Sequence, residues 1–382
     1  MTDAEWLDRV RSTAAAGEWE AAAALLLEGG SEATAEVLEL TAQVAYGAGD
    51  FDGTVTAFER LHALRLGEGD VVGAAYAAAM VAVHLLIDAG MLAPVRGWMA
   101  RAERLLEGMG ESPVDAVLAM VRTFERLLSG DVDTARRWAP IAVELGVRHD
   151  VGPAIAMGRN GVARIAILDG RIEEGLVLLD ELATSLMVGE YDALTTGIVY
   201  CELVCAMQGL AQYDRAEQWT EAMERWRVGN AFGGIHGRCR VHRAEILKLR
   251  GDCATAEAEA LLACDELRPW MRREFGWPLT ELGNIRLRAG DHAGAEEAFV
   301  AAQEHGWDPQ PGFALLRLAQ GDVGAARELV REALDHPLPI PSKERPPFGE
   351  LRRAPLLEAE VPIAIAAGDV AAAQRAATEL SE

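Results

Sequence analysis

The residues of this chain best suited to hold a ligand are arginines, aromatic side chains and amides that recur at helical spacing between residues 159 and 284. Arginine binds carboxylates and phosphates through a planar fork of N–H donors, so several arginines on one surface favour an anionic group. The alternative for each single arginine is a solvated charge or an ion pair between helices. The candidates are Arg159, Asn160 and Arg164; Tyr191, Thr195 and Tyr200; Arg238, Arg240, His242 and Arg243; and Arg272, Arg273, Trp277 and Asn284.

The distribution of charge supports the same region. The chain carries a formal net charge of −24, which argues against sequence-independent binding to nucleic acid, because that binding needs cations that displace phosphate counterions. Residues 225–290 nevertheless hold 12 basic and 8 acidic side chains. This stretch predicts a surface for an anion or an acidic peptide, with a solvated helix face as the alternative. Only two basic residues are lysine, Lys248 and Lys343.

The motifs of common catalytic sites are absent from the sequence. Neither lysine follows a glycine, so there is no phosphate-binding loop, and there is no His-Glu pair or Gly-x-Ser-x-Gly elbow. We therefore expect no enzymatic activity and no cofactor. A metal site would require Cys201, Cys205, Cys239 and His242 to converge, without the paired spacing of zinc sites. The five cysteines indicate a reducing cytoplasm.

A recurring glycine turn indicates which elements position these residues. The turn is spaced by 31 to 47 residues, and by 81 residues across one vacant slot at Leu210-Ala211. A repeat of this length is one supersecondary unit stacked on copies of itself. The sequence therefore predicts an all-α fold, a right-handed α-solenoid of about ten helix pairs. The turn glycines are Gly17, Gly49, Gly90, Gly130, Gly170, Gly251, Gly290, Gly321 and Gly368.

The composition of the turn explains its role between two helices. The glycine follows an apolar run, where the residue after a helix needs a positive φ that glycine adopts without strain. In six copies an aspartate comes next, and its carboxylate is suited to accept from the first N–H groups of the following helix. Five residues after the glycine stands a small residue, such as Ala135 or Ala295. A small side chain there lets the paired helices approach closely.

These residues carry a resemblance to known families. Leu282-Gly283, Gly290, Ala295, Phe299 and Ala302 resemble the tetratricopeptide repeat, although Arg286 stands where a tyrosine is usual and the typical step here is longer. The segments 196–202, 216–226, 239–245 and 309–321 resemble the helical sensor region of actinobacterial LuxR-type transcriptional regulators. That resemblance implies that ligand binding biases transcription through a DNA-binding domain or a partner. Because such regulators usually continue into a helix-turn-helix domain, we expect either a stand-alone relative or a piece of a longer protein.

The predicted organisation has three parts. Residues 1–335 form the tetratricopeptide-like solenoid, 336–355 a proline-rich insertion or hinge, and 356–382 the last helical unit. The middle part holds six of the 15 prolines, which deny helical hydrogen bonds and favour extended backbone. It is either a stiff linker or a loop lying over the groove. Val71–Ile87 is apolar, but we expect a buried helix there rather than a membrane span.

The leading functional expectation is a non-catalytic binding module. In stacked helix pairs the first helix of each pair lines a concave surface, so the groove is expected to bind a peptide, a protein partner or a small effector, in transcriptional or signalling regulation. A structural scaffold that forms homo-oligomers is one alternative. A small-molecule sequestering protein or an enzyme is another. We expect a cytoplasmic protein that contacts neither nucleic acid nor membrane through this segment.

Overall fold

The computed structural model describes residues 3–29, 34–87, 90–227, 233–269, 271, 274–337 and 347–381. Within these ranges the protein is all-α, with twenty helices and no strand. They are α1 Asp3–Ala15, α2 Trp19–Glu28, α3 Ala35–Gly47, α4 Phe51–Glu68, α5 Val71–Ile87, α6 Leu92–Leu106, α7 Pro113–Leu128, α8 Val132–His149, α9 Gly152–Leu168, α10 Ile172–Met187, α11 Ala193–Gly209, α12 Tyr213–Arg227, α13 Gly233–Arg250, α14 Cys253–Leu267, α15 Gly276–Ala289, α16 His292–Glu304, α17 Gly312–Ala319, α18 Val323–Asp335, α19 Gly349–Ala366 and α20 Val370–Ser381. The predicted ten helix pairs are confirmed.

The turn within each pair has the predicted conformation. All nine turn glycines have a positive φ, from 61° at Gly90 to 90° at Gly251. In each of the six Gly-Asp copies, the aspartate carboxylate accepts from the backbone N–H three residues later, at 2.9 to 3.2 Å. Each turn thus ends one helix and caps the next with two adjacent residues.

The vacant slot in the glycine series keeps the same backbone. Ala211 has a φ of 56°, and the amide of Gln212 donates to the carbonyl of Met207, as the equivalent amide of Asp291 donates to Arg286. Alanine adopts the left-handed region at a cost of about 1–2 kcal/mol, since its Cβ approaches the following carbonyl oxygen. The turn therefore keeps its backbone conformation and hydrogen bond even where an alanine replaces the glycine.

Within each of the two compact units that contacts define, the helices form two layers, which we name by number. The odd-numbered helices of a unit are its odd layer, and their partners are its even layer. Several odd helices contact the next odd helix, as α5 contacts α7, α7 contacts α9, and α15 contacts α17. Even helices such as α4, α8 and α18 pack within their pairs and also on the following odd helix. This is the stacking of helix pairs that the period predicts.

Small residues make the contact within a pair close. The side chains five positions after the turn residue are fully buried at Ala135, Ala216, Ala256 and Ala295. In the eighth pair, the Cα of Gly283 lies so near Phe299 that an added Cβ would be 2.4 Å from the ring. Close approach of the two helices, with an aromatic ring laid over a glycine, is the tetratricopeptide-like packing that the residues predicted.

The apolar helix α5 is an internal element. Most of its side chains are buried, and it contacts α4, α6 and α7. Across the described residues, no helix is both long and apolar enough to cross a membrane. The hydrophobic character of residues 71–87 thus reflects packing on three sides.

By contacts the chain divides into two compact units. Unit 1 comprises Met1–Leu203, Gln218–His236 and Pro269–Met271, and unit 2 comprises Val204–Glu217, Gly237–Arg268 and Arg272–Glu382. Unit 1 contains α1–α10 and the stacking of their odd helices. Unit 2 contains α14–α20 with the same arrangement.

The proline-rich segment is only partly described. Residues 338–346, with Pro339, Pro341 and Pro346, lie outside the described residues. Helix α19 already begins at Gly349, so the predicted start of the last unit at residue 356 is too late. Pro355 lies within that helix, where we expected extended backbone.

The left-handed alanine predicts a stabilising substitution. Ala211→Gly removes the Cβ clash but increases the entropy of the unfolded chain, so we expect a net gain of about 0.5–1 kcal/mol in the free energy of unfolding. Urea denaturation measures it. Ala206→Gly, within helical α11, is the matched control and should lose about 1 kcal/mol. Equal losses from both substitutions would contradict the assigned turn.

The helix caps predict a pH dependence. The side chain and the backbone N–H of Thr255 both donate to Asp252 and lower the pKa of its carboxyl. The stabilisation is therefore present above the ordinary aspartate pKa and is lost as pH falls through the lowered value. Asp252→Asn keeps a capping acceptor that does not titrate. We expect its urea midpoint to fall less than wild type between about pH 5 and pH 2.

The control for this measurement is Asp335→Asn, at an exposed aspartate that caps no helix. It should follow the wild-type pH profile. If Asp252→Asn also follows that profile, the cap at Asp252 contributes nothing to acid sensitivity.

Candidate functional site

Buried polar side chains are concentrated in the odd layer. Of the fifteen polar or charged residues that are buried among the described positions, eleven belong to odd helices from α5 to α15. Burying a polar group costs free energy unless it is hydrogen-bonded, so a layer selected for packing alone would be aliphatic. They are His84, Thr123, Glu125, Asn160, Thr195, Thr196, Glu202, Gln208, Arg238, His242 and Glu281.

In unit 1, two predicted site arginines extend from α9 towards the start and body of α11. Arg159 is exposed, and its Nη1 donates to the hydroxyl of Tyr191 at 3.4 Å. Arg164 donates to Oε2 of the buried Glu202 at 3.0 Å. Burial raises the pKa of Tyr191, and the positive charge of Arg159 opposes that shift. The two arginines thus link α9 to the next odd helix and its leading loop.

The remaining predicted residues of unit 1 are interior. Asn160 is fully buried, and neither its Oδ1 nor its Nδ2 has a hydrogen-bond partner among the residues that the structure describes. Tyr200 is also buried, with its ring centroid 5.9 Å from that of Trp226, and burial raises its pKa. The amide and hydroxyl of Thr195 donate to Asp192 at the start of α11. Tyr200 and Thr195 therefore serve packing and capping.

In unit 2, the predicted arginines of α13 already face carboxylates. Arg238 donates to Glu274 at 2.9 Å, and Arg240 donates to Glu259 and Glu266 at 2.8 Å each. Arg243 donates to Glu259 at 3.2 Å. Burial lowers the pKa of Arg240, but the two glutamates outweigh burial and raise it. A ligand carboxylate would have to compete with these partners, so an arginine clamp stays a prediction.

Three further candidates lie on or beside α15. The rings of His242 and Trp277 are 5.0 Å apart, which joins α13 to α15. Asn284 donates to Glu281 at 3.4 Å. The predicted site residues Arg272 and Arg273 lie outside the described residues.

A polar group that the sequence reasoning missed lies close to Asn284. The Nζ of Lys248 on α13 is 2.7 Å from Oε1 of Glu281 and 3.1 Å from its Oε2. Both side chains are largely buried, with 15% and 10% of their surface exposed. Burial opposes the ammonium, but Glu281 and Glu245 outweigh it and raise the pKa of Lys248. This pair links successive odd helices.

The Lys248 pair belongs to a larger group, which we call the Lys248 cluster. Its further members are Tyr213 at the start of α12 and Glu358 on α19. Burial raises the pKa of Tyr213, and the charges of Glu245, Glu281 and Glu358 add to that shift while Lys248 opposes it. The cluster comprises Tyr213, Glu245, Lys248, Glu281, Asn284 and Glu358. The sequence feature that could have indicated this cluster is Lys248 itself, because it is one of only two lysines among 36 basic residues.

The cysteines form no recognisable chemical site. Four of the five are buried, no two of them are joined by a disulfide bond, and burial raises the pKa of Cys264 to about 11. The described residues contain no group of three or more histidine, cysteine or acidic side chains placed to hold a metal ion.

Two solved structures are similar to this chain in fold. The crystal structure of the APC/C hetero-tetramer Cut9–Hcn1 aligns with a TM-score of 0.63 and 14% identity, over 89% of this chain and 58% of that one. A Rap protein complexed with Competence and Sporulation Factor aligns with a TM-score of 0.51 and 13% identity, over 98% and 96%. This chain thus spans less than two thirds of the length of the Cut9–Hcn1 chain.

These likenesses concern the fold alone, since identity is so low. They confirm the tetratricopeptide-like part of the resemblance seen in the sequence. No family model and no curated protein sequence matches the chain.

The Lys248–Glu281 pair predicts a strong coupling in stability. Glu281→Gln leaves a largely buried ammonium without its carboxylate, and we expect a loss of about 3 kcal/mol in the free energy of unfolding. Lys248→Met should have a comparable cost. The double variant should lose less than the sum of the two by about 1–3 kcal/mol in urea denaturation.

The control is the exposed ion pair between Arg250 and Glu217 of the same unit. Glu217→Gln should change the free energy of unfolding by less than about 1 kcal/mol. Additive losses in the Lys248 and Glu281 variants would show that the two side chains do not interact.

Proposed function

We propose that this chain is a non-catalytic binding module whose odd layer captures a peptide or a protein partner. The observation that carries the proposal is the concentration of buried polar side chains in that layer. A scaffold that only had to stack could fill these positions with aliphatic side chains at no cost in burial. Polar groups held ready by hydrogen bonds are what a recognition surface requires.

The hydrogen bonds of the odd layer also indicate how binding is transmitted. Arg164 to Glu202, Gln208 to the carbonyl of His242, and Lys248 to Glu281 each join one odd helix to the next. Because repeats contact only their neighbours, these bonds help set the spacing of successive pairs. A ligand that engages the same groups changes that spacing and hence the output of the module.

The setting of this activity is regulation of transcription or signalling in the cytoplasm. The LuxR-type resemblance of the segments 196–202, 216–226, 239–245 and 309–321 supports it, with the DNA-binding output supplied by a further domain or a partner. The similar structures agree with a binding role: one was solved as the Cut9–Hcn1 hetero-tetramer, and the other is a Rap protein complexed with Competence and Sporulation Factor. A small effector in place of a peptide is the alternative ligand.

Selection of a displayed random-peptide library on the full chain tests the proposal. We expect enriched peptides whose affinity falls at least about tenfold with Tyr191→Ala or Trp277→Ala, because aromatic anchors dominate peptide interfaces. Leu262→Ala, at an exposed side chain of even helix α14, is the control and should leave the affinity unchanged. Isothermal titration calorimetry measures each affinity.

Two results would contradict the proposal. One is a failure to enrich any peptide. The other is enrichment of peptides that lose affinity with Leu262→Ala but not with either aromatic substitution, since the binding surface would then lie on the even layer.

A further inference from the structure

The odd helices α5, α7 and α9 of unit 1 present a single exposed charge to solvent. Of all their residues only Pro113 and Arg159 are exposed, and every other one is buried or half-buried. The even helices α8 and α10 both pack on α9, so its one exposed side chain lies on the face that they leave open. A ligand lying against these odd helices therefore meets the guanidinium of Arg159.

The partners of Arg159 differ from those of the other arginines that the sequence suggests for a ligand. Arg159 makes no ion pair with any residue that the structure describes. The charges of the other described candidates are compensated within the protein, because each forms an ion pair with a glutamate: Arg164, Arg238, Arg240 and Arg243. Arg159 is thus the candidate whose charge is available to a ligand.

A neutral partner holds Arg159 in place. Its Nη1 donates to the hydroxyl of Tyr191 at 3.4 Å. The ring of Tyr191 lies against the start of α9, where a Cβ added to Gly152 would be 3.5 Å from the Cδ1 of that ring. The other N–H groups of the guanidinium are unused, and the tyrosine hydroxyl keeps its own proton to donate. Donors of two kinds therefore lie side by side.

The two acidic residues that flank Tyr191 do not neutralise this guanidinium. Asp192 accepts from the amide and the hydroxyl of Thr195, at 2.9 and 2.6 Å. Glu190 is exposed and makes no ion pair within the described part of the chain. The loop before α11 thus supplies Arg159 with a hydroxyl partner and no counter-ion.

We infer that Arg159 and Tyr191 bind a carboxylate of a peptide held by the odd layer of unit 1. The free N–H groups of Arg159 donate to the carboxylate oxygens, and the hydroxyl of Tyr191 donates a further hydrogen bond. One guanidinium balances one negative charge, which a carboxylate supplies. The inference rests on the proposed function and adds the chemistry of the ligand group to it.

The net charge of the chain, −24, opposes the approach of an acidic peptide from a distance. Salt screens exposed charges that are more than about 8 Å apart, at physiological ionic strength. A carboxylate in direct contact with a guanidinium is screened much less and gains charge-assisted hydrogen bonds. The contact at Arg159 therefore decides the affinity at this ionic strength.

The test is affinity selection from two synthetic pools of random heptapeptides, one with a free C-terminal carboxylate and one with a C-terminal amide. Wild type and Arg159→Gln are used in parallel. On wild type, a preference for the first pool identifies a terminal carboxylate as the ligand. Aspartate or glutamate at a constant position in peptides from the second pool identifies a side-chain carboxylate. Arg159→Gln should show neither preference.

Isothermal titration calorimetry then compares one selected peptide with its analogue in which the recognised carboxylate is an amide. Wild type should bind the carboxylate form at least about fivefold more tightly. Arg159→Gln should reduce that ratio to less than about twofold, and Arg159→Lys, which keeps the charge but loses the planar fork, should give an intermediate ratio. Tyr191→Phe should weaken the carboxylate form about threefold.

The matched control is Arg104→Gln, at an exposed arginine of even helix α6 in the same unit. It changes the net charge equally and should leave the ratio of the two affinities unchanged. An equal fall of the ratio in Arg104→Gln and Arg159→Gln would overturn the inference, because the attraction would then belong to the whole surface. Urea unfolding curves verify that each variant is folded.

Three other results would also overturn the inference. Equal affinity of the carboxylate and amide forms would refute the carboxylate site and leave peptide binding intact. A carboxylate preference that persists in Arg159→Gln would place the site elsewhere. If neither pool yields a binder, the carboxylate site is refuted, and selection from the displayed library decides the proposed function separately.

Discussion

The fold depends on one constraint, which is that the chain must reverse between two closely packed helices within two or three residues. A left-handed residue ends the first helix, and in six of the ten turns an aspartate that accepts from the next helix begins the second. Each turn satisfies the backbone groups that both helix ends expose. Once the turn is fixed, a small residue such as Ala295 faces the partner helix, and the pair closes.

The helix pairs could be read from the sequence because they rest on local chemistry. Glycine needs no partner to adopt a positive φ, and the cap of Asp291 spans three residues. The site could not be read in this way. Arg240 meets glutamates on another helix, 19 and 26 residues away, and no local pattern states which charges a fold will pair. The sequence identifies the arginines, but it does not identify the glutamates that neutralise them.

For the same reason the sequence did not predict the Lys248 cluster. Lys248 and Glu281 lie on different helices, 33 residues apart, so their contact is a property of the tertiary arrangement. Composition contributed only the rarity of lysine. Two kinds of interaction therefore build the odd layer: local turns determine which helices belong to it, and long-range pairs such as Arg164–Glu202 join successive odd helices.

The left-handed alanine at position 211 affects the cooperativity of unfolding. A stack of helix pairs that contact only their neighbours behaves as a one-dimensional array. Unfolding in such an array spreads from the turn that opens most readily. Nine of the ten turns within the helix pairs have a glycine at the left-handed position, and the tenth has Ala211. The turn at Ala211 holds backbone strain that the nine glycine turns lack. The turn at Ala211 is therefore the place at which backbone amide protons would exchange with solvent first. Unfolding there would divide the stack into segments that fluctuate independently.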